Sequence, residues 1–155
     1  MENTSTQETK TPGTPGALSR WFQRTMNGRA IRKIRRGRAT MMGMDLLVLT
    51  TVGRRSGLTR ENPVAWFADG PDAWLLVASG GGSQHPGWYA NLLANPTAAT
   101  AELPGRGVFA VTPERLTGSS YDAAWASVVE AQPRFAKYQE KSARKYPVVR
   151  LTPSA

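Results

Sequence analysis

Between Asp45 and Gly81 the chain offers three short β-prone runs, DLLVLTTVG, NPVAWFADG and AWLLVASGG, each bounded by turn residues. Runs of this length and composition read as strands, with Asp69-Gly70-Pro71-Asp72 as the turn between the second and third. Further on, TAATAEL and GVFAVTPERL flank Pro104-Gly105, a hairpin signal, and YPVVRLTP reads as a closing strand. Five or six short, mostly antiparallel strands with helices at one end and between them make an α+β fold. A small β-barrel with flanking helices is the form such strands take.

The helices have their own signals. Apolar residues at Leu18, Trp21, Phe22, Ala30, Ile31 and Ile34 form a 3.6-residue stripe, with Arg20, Arg24, Arg29, Arg32, Lys33 and Arg35 on the polar face and Gly37 ending the run. HPGWYANLLANP, from His85 to Pro96, enters a helix at Pro86 and leaves it at Asn95-Pro96. A later helix is predicted to be capped by Ser119 or Ser120, with Trp125, Val128 and Val129 inward. Pro133 interrupts it, and a second segment runs to about Arg144 with Phe135 and Tyr138 facing one way. Residues 1–16, rich in Thr, Pro and Gly without periodicity, predict a disordered tail. Residues 17–38 then form a basic amphipathic helix and 39–155 the barrel domain.

Composition narrows the chemistry. Without cysteine there is no disulfide or thiolate metal site, and with His85 as the one histidine there is no multi-histidine site, so no metal is expected. His85 itself reads as a surface histidine. No apolar run reaches the roughly 18 residues of a membrane span, and the first residues lack a secretory-signal layout. The expected location is cytoplasmic, or peripheral on the inner face of the plasma membrane.

The formal charge of +9 is uneven, since residues 1–62 carry twelve Lys/Arg against four acids and residues 63–155 eight against seven. An anionic partner therefore meets the first part of the chain. Nucleic acid is not expected: Ala39 stands where a minor-groove hook would place proline after Arg-Gly-Arg, and no aromatic-rich strand for base stacking is visible. The basic helix suits an anionic membrane surface, or its apolar stripe packs on the barrel.

The densest charge lies in TTVGRRSGLTRENPVAWF, Thr50 to Phe67. Arg54, Arg55 and Arg60 converge near one turn, where three guanidiniums repel one another unless an anion sits among them. Gly57 supplies a positive φ, and Gly53 would let a backbone approach a ligand. A solvated basic hairpin is the alternative. Neither a G-x-G-x-x-G nor a Walker lysine is present. A second glycine cluster, ASGGGSQHPGWYANL, leads from the third strand into a helix, where bare backbone can meet an anion or a planar ring.

Two linked motifs, T-T-x-G-R-x-S/T-G-x-x-R-x-N-P and P-x-W-Y-x-N-L-x-A-N-P, followed by YPVVRLTP, give a chain that resembles the deazaflavin-dependent nitroreductase family over about Leu46 to Leu151. These are actinobacterial split-barrel oxidoreductases that use coenzyme F420, whose arm carries a phosphodiester and a polyglutamate tail. The resemblance implies a split barrel in which Arg54, Arg55 and Arg60 clamp that arm, with Ser56 as a further donor. It places Asn62 and Pro63 at the start of the ring pocket, Ala78, Ser79 and Gly80 along the deazaflavin, and Trp88 and Asn91 at the border of the same cleft. It implies a hydride passed to a hydrophobic quinone, enone or other activated alkene, or a nitro compound, with Tyr138 or Ser79 supplying the proton. Members that reduce nitroimidazoles carry several tyrosines on the late helix where this chain has Phe135 and Tyr138, and a lysine common in the glycine loop is Gly80 here. A monomer or homodimer is expected. The rival readings are an FMN-dependent split-barrel reductase and a non-enzymatic basic module for anionic lipid or nucleic acid.

Overall fold

A computed structural model describes residues 27–37, 40–80 and 84–154. The expected tail, and the first part of the basic helix with Trp21 and Phe22, lie outside them. The helical residues 27–35 are α1. The strands are β1 (Thr40–Met41), β2 (Met44–Val52), β3 (Thr59–Ala65), β4 (Phe67–Ala68), β5 (Trp74–Val77), β6 (Thr100–Leu103), β7 (Gly107–Arg115) and β8 (Val148–Pro153). Helices α2 (Gly87–Ala94), α3 (Gly118–Ala131) and α4 (Arg134–Lys141) complete the set. The class is α+β and the sheet a split, antiparallel barrel, as expected.

The strand order is β1-β2-β6-β7-β8-β5-β4, with β3 also on β2. Since β3 pairs with β2 and β4 pairs with β5, one stretch of chain reaches both ends of the sheet, interrupted at Trp66. Trp66 N–H still donates to the Asp45 carbonyl at 3.0 Å, and the next residue, Phe67, is paired with Leu75 instead. The run NPVAWFADG, expected as one strand, is therefore two, because the chain changes partner in its middle. β7 also serves two neighbours: its first half pairs with β6 and its second, from Val111, with β8.

Alternation along β5 explains its unbroken apolar run. Trp74 and Leu76 point into the barrel with Leu47, Leu49, Leu92, Leu103 and Leu151. Leu75 and Val77 point out, against Tyr121, Ala124 and Val128 of α3 and Phe135 of α4. A strand covered on both faces has no polar side to show. On the far side, Ile31 and Ile34 of α1 pack on Leu46 and Val48 of β2. The stripe of the basic helix, over its described part, thus covers the barrel. The helix ends with Gly37 N–H on the Ile34 carbonyl at 3.0 Å.

Two helix boundaries differ from expectation. The cap of α3 is Thr117, the last residue with extended backbone (φ −139°, ψ 163°), so Ser119 and Ser120 already lie in the first turn. α4 stops at Lys141, short of Arg144, because Ser142 returns to extended backbone (φ −97°, ψ 135°). β1 spans only two residues, too few for any periodic signal.

Leu76 is 0% exposed at the centre of the barrel. Leu76→Ala should lower unfolding free energy by about 2–5 kcal/mol, read as a shift of the urea midpoint. Leu93→Ala, at a site 43% exposed, should change it by no more than about 0.5 kcal/mol.

Candidate functional site

The turn between β2 and β3 is closed by its own backbone. Gly53 N–H donates to the Leu58 carbonyl at 2.8 Å, Gly57 N–H to the Gly53 carbonyl at 2.9 Å, and Leu58 N–H to Ser56 Oγ at 3.2 Å. Gly57 takes φ +69°, the left-handed conformation expected of it. A Cβ at Gly53 would lie 2.6 Å from Ser56 Oγ and 3.3 Å from the Leu58 carbonyl oxygen, so a side chain there would push the Ser56 hydroxyl out of its place beside Leu58 N–H. Arg54 and Arg55 stand on this turn, Arg60 leaves it, and all three are exposed.

Strand alternation then sorts the charges. Arg60 pairs with Thr51 and Asn62 with Leu49, so both share the barrel face of β2. Glu61 and Pro63 pair with Thr50 and Val48 and turn to the face covered by α1. There Arg35 bridges Glu61 and Glu102, with Nε 3.1 Å from Glu102 Oε2. Its bonds to Glu61 and Glu102 push the Arg35 guanidinium further towards the charged form. The other ion pairs among the described residues join Arg150 to Asp69 and Glu114, so none involves Arg54, Arg55 or Arg60. Asn62 and Pro63, expected side by side in one pocket, face opposite ways.

Helix α2 holds the turn in place. Tyr89 and Leu92 anchor the helix in the barrel core. Asn91, only 7% exposed, accepts through Oδ1 from both the Arg54 backbone N–H and Arg54 Nη1, each at 3.1 Å. One turn on, Asn95 Nδ2 donates to the Val52 carbonyl at 3.3 Å. Trp88, half-buried, packs edge-on to Tyr89 at 6.3 Å between ring centres.

The glycine loop after β5 is organised by a residue that the sequence did not single out. Arg144 donates through Nη1 to the Ala78 carbonyl at 2.9 Å and through Nη2 to those of Ser79 at 3.0 Å and Gly80 at 2.8 Å. Its guanidinium carbon lies 4.9 Å from the centre of the Tyr146 ring. Nη1 also meets His85 Nδ1 at 3.2 Å. A guanidinium only donates, so Nδ1 accepts and the His85 proton sits on Nε2. Burial, then the charges of Arg144 and Arg115, hold the His85 pKa below the ordinary imidazole value, which favours that neutral ring. Nothing in the local sequence announces Arg144, because its acceptors are main-chain oxygens.

Tyr138 on α4 is 40% exposed and edge-on to Phe135 at 5.9 Å. With Lys141, Ser142 and Tyr146 it lines a shallow surface depression of about 260 Å³ that opens to solvent. The Tyr146 hydroxyl donates to the Tyr138 carbonyl at 3.3 Å. Ser79 and Tyr138 therefore attach to one Arg144–Tyr146 contact from two different elements. The arrangement offers a cationic turn able to hold an anionic group, a shaped backbone loop, and a phenol beside an open depression.

A model of the F420H2-dependent quinone reductase family matches residues 19–153. An F420H2-dependent quinone reductase of Mycobacterium tuberculosis is 34% identical over 146 residues, which is 87% of this chain and 97% of that protein. A solved F420-H2 dependent reductase superposes with TM-score 0.59 at 33% identity, covering 68% of this chain and 92% of its own. Another solved chain, described as a domain-swapped dimer, gives TM-score 0.62 at 29% identity over 87% of this chain and 99% of its own.

Asn91→Ala should cost about 1.5–3 kcal/mol of stability by removing an acceptor from a charged donor, measured by urea denaturation. Asn91→Asp keeps the acceptor oxygen and should retain most of it.

Proposed function

The chain belongs to the F420H2-dependent quinone reductase family, and we propose that it reduces a hydrophobic quinone while the arginine turn holds the acidic arm of its cofactor. The family's cofactor is coenzyme F420. When bound and reduced, F420 supplies a hydride from its deazaflavin ring. The protein's part is to bind, orient and exclude water.

The observation that carries this reading is the sorting of charge at the β2–β3 hairpin. Three exposed guanidiniums surround one turn with no carboxylate partner among the described residues, while the adjacent Glu61 is turned away to Arg35. Guanidinium forks fit phosphate and carboxylate oxygens two contacts at a time, which is the chemistry of the F420 arm. Ser56 Oγ accepts from Leu58 N–H, so its own proton stays free for donation to the same arm. Asn62, on the face of Arg60, borders the way to the ring, and Ser79 and Gly80 with Trp88 form its seat, on the buried Ala78. Asn91 acts through Arg54. Pro63, on the α1 side, is left out of the binding set.

The acceptor lies beside Tyr138, and Tyr138 or Ser79 delivers the proton that completes reduction. Enones and other activated alkenes are the next acceptors. Nitro compounds come last, because Phe135 offers no hydroxyl next to Tyr138. A homodimer is the assembly we favour, by analogy with the solved relative described as a domain-swapped dimer.

Peripheral contact with an anionic membrane would come through α1. Arg29, Arg32, Lys33 and Arg36 are exposed, while Ile31 and Ile34 are buried against the barrel. Attachment is then electrostatic and sensitive to salt. Among the described residues no helix is long and apolar enough to cross a membrane.

Two measurements test these readings. Titration with F420 should give an Arg60→Ala dissociation constant about 10- to 100-fold above wild type, on the order of 1.5–3 kcal/mol. An unchanged constant removes the arginine grip. The double variant Arg32→Glu/Lys33→Glu should lose sedimentation with phosphatidylserine vesicles at low salt, and retained sedimentation would remove α1 as the contact.

A further inference from the structure

Successive carbonyls of a strand point to opposite sides. After β5 three in a row, those of Ala78, Ser79 and Gly80, converge on the one guanidinium of Arg144 within 2.8–3.0 Å. Three carbonyl dipoles aimed at one point repel each other unless a cation occupies it, so the curl of this loop depends on the charge placed behind it. Arg144 is itself held from several sides. Its backbone carbonyl accepts from Gln139 Nε2 at 2.9 Å, and its N–H donates to Ser142 Oγ at 3.3 Å. Gln139 Oε1 accepts from Tyr146 N–H at 2.9 Å, and the Tyr146 ring lies beneath the guanidinium. These contacts fix the cation relative to α4, which carries Tyr138.

We propose that Arg144 is the positioning residue of the hydride-transfer site: it shapes the 78–80 loop into the seat of the deazaflavin ring and sets Ser79 in register with Tyr138. This rests on reading the loop as the ring's seat. Lysine cannot replace it, because an ammonium is a point donor, whereas the planar fork reaches three carbonyls while its carbon sits over the Tyr146 ring. Arg144 touches neither hydride nor acceptor, so its effect falls on ring placement. Arg60, at the other end of the site, acts on the arm.

The test compares Arg144→Ala, Arg144→Lys and Arg60→Ala with wild type, using F420 titration, the absorption and fluorescence of bound oxidised F420, and turnover of reduced F420 with menadione. Arg144→Ala should lower kcat at saturating cofactor by about 10- to 100-fold, the scale of a reacting group misplaced by about an ångström. It should also alter the spectrum of the bound ring, and added guanidinium should restore both. Arg144→Lys should show the same spectral change without rescue. In Arg60→Ala the loss should fall on KM and the dissociation constant, with the bound-ring spectrum of wild type. A folded Arg144→Ala with wild-type kcat and wild-type bound spectrum overturns the proposal. If Arg144→Ala does not fold, Arg144→Lys decides on the same two readouts. A wild-type protein that binds no F420 instead overturns the functional reading itself, and the two failures are thereby distinct.

Discussion

The pairing of Thr51 with Arg60 is the constraint on which the site depends. Side chains in a strand alternate, so this register decides the face of every residue in TRENPVA at once. Arg60, Asn62 and Val64 go to the barrel side, and Glu61 and Pro63 to the side of α1. A slip of one residue would bring Glu61 beside the arginines, where it would neutralise them, and would turn Arg60 to the face of α1. The core resists this slip, because it would also exchange Val64 for Ala65 in the barrel. Packing thus enforces the charge arrangement.

The two asparagines of the second motif connect that hairpin to the rest of the molecule. Asn91 on α2 and Asn95, the residue that caps its C-terminus, lie about one helical turn apart and reach the Arg54 backbone and the Val52 carbonyl. The helix is in turn fixed by Tyr89 and Leu92 in the barrel core. The asparagine bonds add to the turn's own backbone closure and oppose the repulsion among its like charges. Hydrogen bonds to a buried amide are well suited to the task, because they orient Arg54 without cancelling its charge.

What was legible in the sequence is what local chemistry decides. The hairpin turn with Gly57, the Pro104-Gly105 turn, the entry of α2 at Pro86 and the buried run WLLV all follow from neighbours in the chain. The break at Trp66 was hidden, because a change of strand partner is a tertiary event that leaves no mark on a run of β-prone residues. The cap at Thr117 was missed for a related reason: two serines nearby are better capping residues, and backbone geometry chose otherwise. Asn91 was singled out as a residue bordering the cofactor cleft, and its observed bonds are to Arg54. Arg144 left no trace, since an arginine that serves carbonyls has no complementary charge to reveal it.

The two cationic features of the candidate site differ in kind, and under the proposed function that difference divides the labour between them. The arginines of the turn keep their field in solvent, where at physiological salt it extends about 8 Å and can draw in a charged arm. The α1 cations that face outward add to that field only at a distance, and Arg35 is removed from it by Glu61 and Glu102. The charge of Arg144 is instead absorbed by carbonyl dipoles and an aromatic face, so it contributes little attraction and much rigidity. A carrier with a highly charged arm and a ring that must be placed within a fraction of an ångström needs both: loose, long-range capture at one end and fixed geometry at the other. Exchanging the two roles would fail, because a rigid neutralised cation captures nothing and a solvated flexible one cannot hold a ring still.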